Sequence, residues 1–169
     1  GFGVYGLVYL KNHGLEPEEL DAFYEEFLSF TNRDDEAKKE VLVEDIWFQR
    51  GWTPPNTERA VVAGGQPDFK ECYFIAPEPM RDEDRLQYPQ IYADNVWPSD
   101  ADKFRERYMN IGHQIHQIGM NLLRGAAMAL NLEPYRFEQG VHNGPHVTRA
   151  LRYLPVTPEQ TEAGVLWGE

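Results

Sequence analysis

Arg149 and Tyr153 lie in the run Val147-Thr148-Arg149-Ala150-Leu151-Arg152-Tyr153-Leu154-Pro155. Val147 to Leu154 reads as a strand that stops at Pro155, which has no N–H to give a ladder. Residues two apart on a strand share a face. Arg149, Leu151 and Tyr153 therefore point one way, and Ala150, Arg152 and Leu154 the other. An Arg and a Tyr on one face suit recognition of a carboxylate, which a guanidinium binds through two N–H groups. A plainer alternative stays open, with Arg149 and Arg152 as surface cations and Tyr153 as a core ring.

Arg50-Gly51-Trp52 offers a second candidate pair. An aromatic beside an Arg can line an apolar pocket and pair with an acidic group. A simple stack on a loop accounts for the pair equally well. Asp68, Lys70 and Glu71 read as a local ion-pair or turn arrangement. His113 and His116 are a helical step apart, and His142 and His146 flank Asn143-Gly144-Pro145. Two such pairs can make a zinc site, since imidazole suits zinc. No Glu completes a His-Glu-x-x-His arrangement, however, and His113 falls opposite the apolar stripe of its helix, facing water. No native metal site is expected among these residues. His13 belongs to a turn, and Cys72, with no His beside it, reads as a buried, inert thiol. A Gly-rich phosphate loop and a Gly-x-Ser-x-Gly elbow are both missing from the sequence.

The elements that must hold these residues are coarse but legible. Val4 to Leu10 is nearly all apolar and predicts a buried strand, closed by a turn at Asn12-His13-Gly14. Pro17 opens a helix with Leu20, Phe23, Phe27 and Phe30 at helical spacing and acidic residues in its first turn. A short helix follows over 34–41. Residues 46–80 are proline-rich and irregular, with one strand over 69–75. Ser99 or Asp100 can cap the longest helix, which runs to about Leu130. Its stripe is Phe104, Tyr108, Ile111, Ile115, Ile118, Leu122 and Ala129. A short helix follows the turn at Glu133-Pro134. The order predicts an α+β fold whose sheet is unfinished.

With 28 Asp plus Glu against 16 Lys plus Arg, the formal net charge is -12. Such a surface repels polyanions, so nucleic acid and anionic membranes are poor partners. Hydrophobic residues make up 41% and aromatics 13%, enough for a real core in 169 residues. One cysteine, no spanning apolar run and no basic-then-apolar leader predict a cytoplasmic protein. The opening GFGVYGLVYL and the closing GVLWGE read as strands without neighbours, which predicts a piece of a longer chain. An open sheet edge at Val165 to Trp167 then invites self-association.

Five segments in this order resemble the isopenicillin N synthase-like Fe(II)/2-oxoglutarate-dependent oxygenases. They are GLVYLKNHGL (6–15), RGW (50–52), PDFKECYF (67–74), NVWP (95–98) and TRALRYLP (148–155). Their order spans nearly the whole chain. The resemblance implies a double-stranded β-helix (jelly-roll) oxygenase fold, incomplete here. Residues 1–145 would be its N-terminal α/β region and 146–169 the first strands of the catalytic barrel.

The implied chemistry is oxidation of a small-molecule substrate by hydroxylation, desaturation or cyclisation. Fe(II) and 2-oxoglutarate would serve as cofactors in the full-length protein. Positions similar to Arg149 and Tyr153 approach substrate or 2-oxoglutarate in such enzymes, and the stretch holding Arg50 and Trp52 closes over substrate. The His-x-Asp iron motif would be expected immediately after Glu169. The fragment alone is therefore expected to hold neither cofactor and to be inactive. Two alternatives stay open: a catalytically dead remnant that binds a ligand or partner, and a zinc-binding domain built on the four clustered histidines.

Overall fold

The computed structural model describes residues 2–59 and 67–162. The expected edge at Val165 to Trp167 lies outside them.

Two helices and a small sheet enclose the core. Helix α2 (Pro17–Thr31) begins with Pro at its first turn, where no N–H is missed, and with Glu18 and Glu19 against the helix dipole. Its spacing carries Phe23, Phe27 and Phe30 inward, all buried. They meet the N-terminal half of α5 (Asp102–Ala129), where Phe104, Tyr108 and Ile111 are buried. The rings pack edge-on and stacked: Phe30 and Phe104 stack with centroids 5.6 Å apart, and Phe30 lies edge-on to Tyr73 at 5.2 Å. Aromatic contacts of this kind add to plain area burial.

The sheet has three antiparallel strands in the order β1-β2-β3: β1 (Gly51–Thr53), β2 (Lys70–Ile75) and β3 (Thr148–Tyr153). β2 pairs with β3 from Lys70↔Tyr153 to Ile75↔Thr148. β3, beyond the expected division at residue 145, is thus a full member of this sheet. Trp52, Tyr73 and Ala150 face the helices and join the core cluster. Short elements link the frame: α1 (Phe2–Tyr5), α3 (Asp35–Lys38), two 3-10 turns at Lys39–Val41 and Glu44–Ile46, α4 (Asp82–Gln87), α6 (Glu138–Val141) and α7 (Pro158–Glu162).

Three expectations are corrected. Val4 to Leu10 is no buried strand: Phe2–Tyr5 is a short helix, and Val4, Tyr5, Leu7, Tyr9 and Leu10 are exposed. Apolar β-formers make a strand only where a ladder partner exists, and no strand of the described sheet reaches them. The cap of α5 is Ala101, without a side-chain hydrogen bond. Asp100 instead pairs with Arg33 at 2.8 Å, and the Ser99 amide donates to Glu40. The stripe of α5 is buried only as far as Ile111: Ile115 and Ala129 are exposed, and Ile118 and Leu122 half-buried. Periodicity marks an apolar face, but burial needs something packed on it.

Gly51 fixes the approach to β1. Its φ is +73°, and a Cβ there would lie 2.1 Å from the Val41 carbonyl oxygen and 2.6 Å from Val96. Only glycine combines that backbone with that proximity.

Candidate functional site

Antiparallel pairing decides which side chains share a face. Lys70, Cys72 and Phe74 of β2 lie with Tyr153, Leu151 and Arg149 of β3, opposite the helices. The Arg149 side chain is 38% exposed there, and Tyr153 as a whole residue 42%. Strand parity read from the sequence is met by the register.

This face carries a compact charge cluster. Arg149 Nη1 lies 3.2 and 3.4 Å from the two carboxylate oxygens of Glu58. Lys70 Nζ lies 3.0 Å from Glu58 Oε2 and also holds Asp68 closely. Burial pulls the Lys70 ammonium down, but its hydrogen bonds with Asp68 and Glu58 outweigh that and leave it raised. The Arg149 guanidinium sits 5.4 Å above the Phe74 ring, and Phe69 meets Tyr153 edge-on at 5.8 Å. Cys72 lies beneath, fully buried, its thiol pushed up to about 12 by burial first and by Glu58 next. Such a thiol is inert as a nucleophile.

Glu58 was not legible as a partner. It sits 91 positions from Arg149, and only the chain's return brings them together. Backbone bonds from Asn56 N to Asp68 O and from Asp68 N to Glu58 O, both 2.8 Å, extend the β1–β2 hairpin and deliver Glu58 to this face.

Arg50 and Trp52 are not brought to it. Trp52 pairs with Tyr73 in the register and lies on the helix face, 2% exposed. Its Nε1 donates to Glu71 Oε2 at 2.8 Å, and Lys38 Nζ sits 4.7 Å over its ring. Lys38 and Arg152 also converge on Glu71, at 3.0 and 3.7 Å, and Arg152 donates to the Thr31 hydroxyl at 2.8 Å. This buried network ties β1, β2, β3 and the α2–α3 corner. Arg50 is buried and donates to the carbonyls of Ala93, Gln49 and Ile91 at 2.9, 2.6 and 3.2 Å. Burial lowers its pKa against an opposing pull from Asp94. Both residues serve as internal ties, not as walls of the Arg149 face. Of the Asp68-Lys70-Glu71 trio, two pair locally as expected, and Glu71 joins the buried network on the other face.

Among the described residues, no group of three His, Cys, Asp or Glu side chains gathers to hold a metal. A facial-triad iron centre needs two His and a carboxylate, so the described residues do not supply one. His116 and His146 rings do meet, with centroids 4.5 Å apart. But His146 Nε2 donates to the Val141 carbonyl at 2.8 Å, which takes that nitrogen out of ligation, and His113 holds Glu78 at 2.7 Å. Desolvation pulls the His116 pKa down against an opposing pull from Glu78, with His146 and His113 adding to the fall.

Known proteins resemble this chain in both sequence and fold. Residues 2–100 match the family described as non-haem dioxygenase in morphine synthesis, N-terminal. Kihadalactone A synthase of Citrus sinensis is 30% identical over 141 residues, covering 79% of this chain and 40% of that protein. A 2OG-Fe(II) oxygenase family protein from Caulobacter crescentus superposes with a TM-score of 0.71 at 26% identity, over 85% of this chain and 45% of that one. The fold is also that of a full-length Neurospora crassa protein in complex with alpha-KG and thymine, at a TM-score of 0.74 and 24% identity, over 98% of this chain and 51% of that one. The chain thus spans about half or less of the length of these relatives. It belongs to the non-haem 2-oxoglutarate- and iron(II)-dependent oxygenase family, as an N-terminal portion.

Proposed function

We propose that the full-length protein carries out an Fe(II)- and 2-oxoglutarate-dependent oxidation of a small molecule, by hydroxylation, desaturation or cyclisation. In this reading β3 opens the double-stranded β-helix, with residues 146–169 as its first strands and 1–145 as the region that braces them. Bound iron and 2-oxoglutarate would supply the oxidising chemistry. This chain would supply one wall of the pocket: Arg149 to bind a carboxylate, Tyr153 to flank it, and the aromatic core to fix both.

One observation carries the reading. The β2–β3 register puts Arg149 and Tyr153 together on the half-exposed face, away from the packed helices. A guanidinium left partly open to solvent keeps N–H groups for a ligand.

The test begins with intact mass, which shows whether the working protein exceeds the 19.6 kDa of these residues. Iron-dependent conversion of 2-oxoglutarate to succinate is then measured on the intact protein and on Arg149→Ala. Turnover in the first, with weakened carboxylate saturation in the second, supports the proposal. No turnover with iron supplied would favour a ligand-binding remnant.

A further inference from the structure

We propose that Glu58 is an internal occupant of an anion site made by Arg149 and Lys70, and that a ligand's carboxylate takes its place. The inference rests on reading Arg149 as ligand-facing, and it adds a residue that sets carboxylate affinity.

Both cations of this sheet face converge on one carboxylate. Glu58 Oε2 is 3.0 Å from Lys70 Nζ and 3.4 Å from Arg149 Nη1, while Oε1 is 3.2 Å from the same Nη1. Both contacts to Arg149 use that single nitrogen. Among the described residues, the forked arrangement on two guanidinium nitrogens is left unmade, and that fork is the stronger geometry. A free carboxylate approaching from solvent can adopt it. Glu58, tethered to its hairpin, reaches only one nitrogen.

Displacement is a small rearrangement. The Glu58 carbonyl is held by the Asp68 amide at 2.8 Å, so the backbone stays in place while the side chain swings out. The pair it leaves is partly exposed on both sides, 38% for Arg149 and 35% for Glu58, and such pairs hold weakly. Lys70 keeps Asp68 as a counter-ion, so no cation is stranded. Phe74 under the guanidinium, Leu151 and Tyr153 on the same face offer apolar contact to the rest of the ligand. The site therefore fits a small carboxylate with a hydrocarbon body.

The experiment is calorimetric titration of the intact protein with glutarate, using wild type, Glu58→Gln, Glu58→Ala and Arg149→Gln, each checked by circular dichroism. Both Glu58 variants are expected to bind glutarate about two- to fivefold more tightly, the release of a weak ion pair. Arg149→Gln is expected to lose binding. Unchanged or weaker binding in both Glu58 variants, with Arg149→Gln still losing it, overturns the inference and leaves the proposed role of Arg149 standing. Binding retained in Arg149→Gln overturns both. Repeating the titration with saturating 2-oxoglutarate identifies the source. A gain abolished by it assigns the site to the co-substrate, and a gain that persists assigns it to the oxidised substrate.

Discussion

The Tyr108 hydroxyl accepts a hydrogen bond from the Ala150 amide at 2.7 Å and donates one to the Tyr73 carbonyl. Tyr73 and Ala150 face each other across the β2–β3 ladder. A side chain of the long helix therefore stitches the two strands at the residue next to Arg149. Burial pushes the Tyr108 pKa well up, so the group stays a neutral phenol able to serve both strands.

Tyr108→Phe keeps the ring and removes the stitch. The Ala150 N–H and the Tyr73 carbonyl lose a buried partner, which costs about 1–3 kcal/mol. Urea denaturation should show that loss, and a change below a few tenths would mean that the strands close the gap themselves.

Glu71 is the hinge of the opposite face. Removing one partner of a buried ion pair typically costs about 3–5 kcal/mol, because the other charge is left uncompensated. Glu71→Ala removes the buried counter-ion of Lys38, leaving it the exposed Asp35, and frees Arg152 and the Trp52 indole, so a loss in that range is expected. Midpoint shifts in chemical denaturation measure it, and a near-neutral result would show that Lys38 is satisfied by Asp35 alone, 3.0 Å away.

Arg50→Lys separates the tie from the pocket. An ammonium cannot reproduce three directed bonds to the carbonyls of Ala93, Gln49 and Ile91. Stability should fall by about 1–3 kcal/mol, while glutarate affinity at the Arg149 face stays as in wild type. A large loss of affinity at unchanged stability would return Arg50 to the binding site.

Cys72 should resist iodoacetamide at pH 8 in the native protein and react once unfolded, as followed by mass spectrometry. The pH dependence has a definite sign. The folded thiol titrates at about 12 against 9.0 unfolded. Between those values the unfolded chain has lost a proton that the folded one keeps. Stability therefore falls as pH rises through that window. Cys72→Ala should flatten this part of the curve, and an unchanged slope would assign the loss to other groups.

Elements whose partners are local could be read from the residues alone. Phe23, Phe27 and Phe30 form one helical face and Pro17 its start, because helix geometry depends on neighbours a turn away. Strand parity put Arg149 with Tyr153 for the same reason. The motif order across the chain pointed to the family. What each face meets was settled only by tertiary packing. Val4 to Leu10 has strand composition but no ladder partner in the described sheet, and the apolar stripe of α5 is covered only over its first turns. Trp52 and Arg50 carry pocket chemistry, yet the β1 register and three carbonyls turn them inward. Glu58 and Tyr108 reach Arg149 and Ala150 across 91 and 42 positions. Contacts at such separations follow from how the chain returns on itself, which no local spacing encodes.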